Sequence, residues 1–161
     1  MSKDEELLIL KRGVESTLDW FYENNSELIQ LAASEQCLVG HFYRHFFGAI
    51  EALLQDGTLN VDLEYNKYGN EKDPKTGLSG RGWRPDMIVH HRGDQARNVC
   101  LFEFKRWNSR KSRRDADLAK VEEAVRSPKM KYNFACYVEF GKKRQLCQVK
   151  WVSRNSVCQN W

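Results

Sequence analysis

Arg84-Pro85-Asp86-Met87-Ile88-Val89-His90-His91 and Val99-Cys100-Leu101-Phe102-Glu103-Phe104-Lys105 are two short apolar runs separated by a turn-forming Arg92-Gly93-Asp94-Gln95. Runs of this length and composition, bounded by turn residues, predict two strands over 86–91 and 99–105, paired as a hairpin. Side chains alternate along a strand, so Leu101, Glu103 and Lys105 share one face, and Phe102 and Phe104 take the other. A strand this apolar is expected to be central and covered on both sides. Two opposite charges on one of its faces then either pair with each other or line a site. A hairpin can bring the start of the first strand to the end of the second, so Asp86 is expected close to Glu103. Two converging carboxylates repel unless a proton or a cation lies between them.

Outward from the hairpin, residues 4–23 have apolar positions at helical spacing (Leu7, Leu8, Leu10, Val14, Leu18, Phe21, Tyr22). Asn24-Asn25-Ser26 ends that helix. A second helix is expected from Ser26 to about Leu54, with a break near Ser34, itself a plausible cap. Asp56-Gly57 turns the chain into an alternating strand over 59–65. Residues 66–83 carry no period and read as a long exposed loop, of the kind that tends to be functional. Beyond the hairpin, 114–126 predicts a helix stopped by Ser127-Pro128, and strands are expected over 133–140 and 145–152. The order α-α-β-β-β-α-β-β in a single domain over 1–161 predicts an α/β (α+β) fold: a central mixed β-sheet flanked by helices.

The 161 residues are 41% hydrophobic and 30% charged, enough for one core. No apolar run approaches the length of a membrane helix, and the N-terminus lacks the order of a secretory leader. A cytoplasmic protein with no membrane partner is the expectation. The five cysteines show no CxxC spacing and read as buried thiols. Cys37, His41 and His45 share a helical stripe but lack a fourth ligand for zinc. Residues 1–35 hold eight acidic and three basic side chains, whereas 104–131 hold ten basic and four acidic ones. The second segment is either a solvated basic helix or the docking surface of a polyanion.

Pro85-Asp86, sixteen intervening residues and Glu103-Phe104-Lys105, set on two adjacent strands with a helix, strand and helix around them, resemble the PD-(D/E)XK nuclease superfamily over about residues 27–152. The resemblance implies a restriction-endonuclease-like core and Mg²⁺, replaceable by Mn²⁺, held by Asp86, Glu103, the main-chain carbonyl of Phe104 and a glutamate of the first core helix. Glu35 matches that glutamate best, because Leu38, Phe42, Phe46, Ala49 and Leu53 follow it on one stripe. Val61-Asp62-Leu63-Glu64-Tyr65 and Asp117-Leu118-Ala119-Lys120 match two further features of small members. These imply that Glu64 adds to the acidic centre and that Lys120 reaches a phosphate.

On this reading Asp86, Glu103 and Lys105 are the catalytic residues, with Lys105 orienting or deprotonating a water. Arg84, Arg106, Arg110 and Lys111 would bind phosphates, and Trp83 and Trp107 would stack on bases or sugars. The expected activity is endonucleolytic hydrolysis of nucleic acid, DNA before RNA. The alternative is a non-catalytic nucleic-acid- or protein-binding module on the same fold. A homodimer or a protein partner stays open as a source of specificity.

Overall fold

Strand β3 (Asn98–Arg106) lies inside a six-stranded sheet of order β1-β2-β3-β4-β5-β6. The computed structural model describes residues 1–67, 83–93, 96–154 and 156–157. β3 pairs antiparallel with β2 (Met87–His90) and parallel with β4 (Phe134–Phe140). β1 (Asn60–Leu63), β5 (Gln148–Ser153) and β6 (Ser156–Val157) join antiparallel at the two sides. The sheet is mixed, as expected. Its one parallel pair is joined by α5 (Lys111–Arg126), the crossover that a parallel connection requires.

The alternation along β3 sorts two cores. Phe102 and Phe104 face α1 (Lys3–Asn24) and α3 (Glu35–Ala49), packing with Leu10, Leu18, Phe42 and Phe46. Phe42 meets Phe104 at 5.0 Å and Phe46 meets Phe102 at 5.3 Å, both edge to face. Leu101 faces the opposite layer, where Val121, Ala124 and Val125 of α5 cover Ile88 and Ala135. Glu103 and Lys105 share that second face with Leu101, so their polar groups lie between the sheet and α5.

α1 matches the expected helix and begins on a capping box between Ser2 and Glu5. The second helical region divides into α2 (Ser26–Gln30), α3 and α4 (Glu51–Leu54). The break falls where Ala32 adopts a φ of 54°, and Ser34 caps α3 by accepting from Cys37 N. α5 starts three residues earlier than expected, because Lys111-Ser112-Arg113 has no apolar period to mark it. The expected strand over 145–152 begins instead with a 3-10 turn at Arg144–Leu146. The loop expected over 66–83 and the turn residues 94–95 lie almost wholly outside the described residues. Cys37, Cys100, Cys136 and Cys147 are free thiols, and His45 of the Cys37-His41-His45 stripe stacks on Trp20 at 4.7 Å.

Gly141 ends β4 beside the segment that leaves β3. A Cβ there would lie 2.5 Å from the Leu146 main-chain carbon and 2.6 Å from its oxygen. Its carbonyl also accepts the Tyr22 hydroxyl at 2.7 Å, tying α1 to the turn. Backbone cannot move aside as a flexible side chain can. Gly141→Ala is therefore expected to destabilise the fold by about 1–3 kcal/mol, the usual range for overpacking, read from urea melts.

Candidate active site

The register of the hairpin sets the site. Met87 lies opposite Phe102, so Asp86 falls just past the end of the β2–β3 ladder, beside Glu103 and Phe104. There the Phe104 N–H has no partner on β2, and it donates to Asp86 Oδ2 at 2.7 Å. The N–H and C=O of a strand residue point to the same side, so the Phe104 carbonyl lies on the edge of β3 that Asp86 occupies. Burial pushes the Asp86 carboxyl up, to about 6. The Phe104 N–H and the Lys105 charge hold it down, while Glu35 and Asp117 push it further up.

Glu103 is 2% exposed. Its Oε1 accepts the Trp83 indole N–H at 2.9 Å, and its Oε2 lies 3.5 Å from Lys120 Nζ. Burial and then the Asp86 charge raise this carboxyl to about 8, more than Lys120 and Trp83 can offset. Trp83 is 6% exposed, so the stacking role expected of it is corrected: a buried indole holds a carboxylate and offers no face to a base.

Lys105 does not pair with Glu103, its neighbour on the same face. Its Nζ lies 2.7 Å from Glu35 Oε1 and 2.8 Å from Asp117 Oδ2. Burial works to lower the Lys105 pKa, but the hydrogen bonds and charges of Asp117 and Glu35 outweigh it. The ammonium is held above its usual range. Asp117, 7% exposed at its side chain, also takes Lys120 at 2.7 Å on Oδ1. Here, too, burial opposes and the charges of Glu103 and Asp117 prevail, so Lys120 is held protonated. In the sequence Asp117 stands out only as the first residue of the Asp117-Leu118-Ala119-Lys120 match, where the role falls to Lys120; the structure gives Asp117 a place of its own, between the two lysines.

The centre thus gathers four carboxylates (Asp86, Glu103, Glu35, Asp117) against two ammonium groups (Lys105, Lys120). Among the described residues no three acidic, histidine or cysteine side chains form a ready metal cage. The donor set suits a hard divalent cation nonetheless. Mg²⁺ takes one or two carboxylates and keeps several waters, whereas structural zinc needs four nitrogen or sulfur ligands. Asp86, Glu103 and the Phe104 carbonyl supply oxygen ligands where negative charge is buried in excess. Glu35 reaches the centre through Lys105.

A cleft of about 350 Å³ opens beside Asp86, lined by Glu35, Gln36, Val39, Leu63 and Glu64. Glu64 has a φ of 51° and pairs with Gln36 at 2.7 Å and Arg84 at 3.5 Å, so it forms the rim of this cleft. A second cleft of about 420 Å³ lies across Glu35, lined by Lys105, Arg106, Asn108, Ser109, Arg110 and Arg113. Arg106 donates to the Ala32 carbonyl at 3.2 Å. Lys111 is 81% exposed at its side chain and pairs at 2.7 Å with Asp115, one turn along α5. Trp107 lies under Lys142 Nζ, 4.3 Å from the ring centre.

No family model matches this chain, and no curated protein matches it. Among solved structures, a chain of the DrdV–DNA complex determined by cryo-electron microscopy superposes with a TM-score of 0.49 at 9% identity. The match covers 91% of this chain and 12% of that one. At that level of likeness neither fold nor activity is carried over. No helix among the described residues is long and apolar enough to cross a membrane.

Proposed function

We propose that this chain is a metal-dependent nuclease that hydrolyses phosphodiester bonds, in DNA before RNA. The observation that carries the reading is the pair of a buried Glu103 and a half-buried Asp86 beside it, with both carboxyls raised and with Lys105 held charged next to them. Asp86, Glu103 and the Phe104 carbonyl would hold Mg²⁺ or Mn²⁺. A bound divalent cation supplies Lewis-acid stabilisation of a phosphoryl oxygen and lowers the pKa of a water. Lys105, clamped by two carboxylates, serves as a fixed positive charge that orients water or phosphate. It is poorly suited to taking a proton. Trp83 and Lys120 hold the Glu103 carboxylate in one orientation. Arg106, Arg110 and Arg113 line a basic cleft on the Lys105 side, where a phosphate backbone can lie.

The alternative of a non-catalytic binding module draws on the ion pairs that already satisfy Lys105 and Lys120. Incubation of the parent protein and Lys105→Ala with single- and double-stranded DNA and RNA, in Mg²⁺ and Mn²⁺, separates the two. Metal-dependent cleavage by the parent, lowered by about 10²-fold or more in Lys105→Ala, is expected. Salt-sensitive binding without cleavage of any of them would leave the binding module. Reversing Arg106, Arg110 and Lys111 to Glu is expected to flatten the dependence of log Kd on log salt. An unchanged slope would place those three side chains away from the nucleic acid.

A further inference from the structure

We propose that Asp117 is a positioning residue that holds both lysines of the centre away from the carboxylates meant for the cation. The inference rests on the nuclease reading for its functional meaning, and on the ion pairs alone for its geometry. Lys105 and Glu103 share a face of β3, and Asp86 lies at the end of the adjoining strand. Left to Coulomb's law, a buried ammonium in that place would settle on Asp86 or Glu103 and take the position of a metal. The structure has Lys105 Nζ on Asp117 Oδ2 at 2.8 Å and Lys120 Nζ on Asp117 Oδ1 at 2.7 Å. One carboxylate, fixed on α5 and almost wholly buried, divides its two oxygens between two cations. Lys120 keeps only a longer contact to Glu103, at 3.5 Å. Glu35 is Lys105's second partner, but it is 30% exposed at its side chain and sits on the first turn of α3. Water therefore screens that pair more; Glu35 takes the Lys105 hydrogen bond, whereas Asp117 Oδ2 holds the ammonium by charge at 2.8 Å from inside the protein.

Removing the Asp117 charge has two consequences. Lys105 loses its fixed direction, which is expected to lower kcat by about 10²-fold, the usual cost of misplacing a reacting group. Both lysines also become free to pair with Asp86 and Glu103, so they compete with a divalent cation. Ca²⁺, which does not support the chemistry, should then bind Asp117→Asn about tenfold more weakly, read by calorimetry. A side chain needed only for folding would shift the melt and leave the Ca²⁺ affinity of the folded protein alone.

The direct readout is nitrogen-15 NMR of lysine side chains in the metal-free protein, where ammonium groups held in ion pairs are seen and freely exchanging ones are not. The Lys105 and Lys120 signals, assigned from Lys105→Met and Lys120→Met, should both change or vanish in Asp117→Asn. They should persist in Asp117→Glu, which keeps the charge and remains informative if the asparagine variant does not fold. Ammonium signals unaltered in Asp117→Asn, loss of both signals in Asp117→Glu, or equal Ca²⁺ affinity in parent and Asp117→Asn would each overturn the assignment. If the parent cuts no nucleic acid while the signals and Ca²⁺ affinity respond as stated, the nuclease reading falls and the role of Asp117 stands.

Discussion

Asp86→Asn is expected to raise the melting temperature of the metal-free protein and to abolish its response to divalent cations. Asparagine keeps the shape of aspartate, and its carbonyl oxygen can still accept the Phe104 N–H. What it removes is a half-buried negative charge facing Glu103, Glu35 and Asp117. Each pKa unit is worth about 1.4 kcal/mol, so the rise of Asp86 from 3.8 to about 6 marks roughly 3 kcal/mol of disfavoured ionisation at neutral pH. For a chain of this size 1 kcal/mol moves Tm by about 2–4 °C, so a gain of several degrees is expected. In the parent, Mn²⁺ or Ca²⁺ at a hundredfold excess over Kd adds about 2.7 kcal/mol by mass action, and in Asp86→Asn it adds nothing. Cleavage should be lost in the same variant. If Asp86 serves only as a strand-end acceptor for Phe104, neither effect is seen: the variant melts no higher than the parent, and cations leave the parent unchanged. Four thermal melts, each protein with EDTA and with Mn²⁺, decide between them.

The metal-free protein is also expected to lose stability as pH rises from about 5.5 to 8.5. The sign follows from linkage. Asp86 and Glu103 titrate at about 6 and about 8 in the fold, above their ordinary values of 3.8 and 4.5. The folded state therefore binds more protons than the unfolded one across that window. Their contribution is fully present below about pH 4 and is lost as pH climbs through 6 and then 8. Lys105 and Lys120 have raised values and keep their charge throughout this range. At the acid end the order changes, because Asp62, held low by Arg92 and His90, loses its contribution as pH falls through its depressed value. With saturating Mg²⁺ the alkaline decline should flatten, since the cation favours the ionised carboxylates and displaces protons. Calorimetry of Mg²⁺ binding at pH 7 in buffers of different ionisation enthalpy should show about one proton released, mainly from Glu103. A metal-free melting temperature level from pH 5.5 to 8.5, with no proton release, would show that the two carboxyls do not share a buried site.

The residues of this site divide by how local their cause is. Asp86, Glu103 and Lys105 were legible because each depends on short-range rules. Strand alternation puts Glu103 and Lys105 on one face, and the hairpin brings Asp86 back to Glu103. Glu35 at the head of the α3 stripe was legible for the same reason, since Leu38, Phe42 and Phe46 follow it at helical spacing and are buried. The start of α5 was not, because Lys111-Ser112-Arg113 is polar all round. The charge balance of 104–131 marked a basic segment but did not show that Lys105 and Lys120 turn inward.

By itself, then, the sequence determined the mixed sheet with its flanking helices, the single strand carrying both charges, and the acidic residue set against it. Those follow from apolar periodicity and turn chemistry, which act over a few residues. Which carboxylate meets which ammonium was decided by tertiary structure. Lys105 finds Glu35, 70 positions away, and Asp117 in place of Glu103, two positions away. The reason is geometric: the crossover from β3 through α5 to β4 lays Asp117 over the strand face that carries Lys105, and the packing of α3 on the opposite face brings Glu35 to the strand end. Trp83 likewise has its indole on Glu103 because burial in the α5-side core turns it inward. Ion pairing between elements depends on distances that only the packed layers set, and no spacing along the chain encodes them.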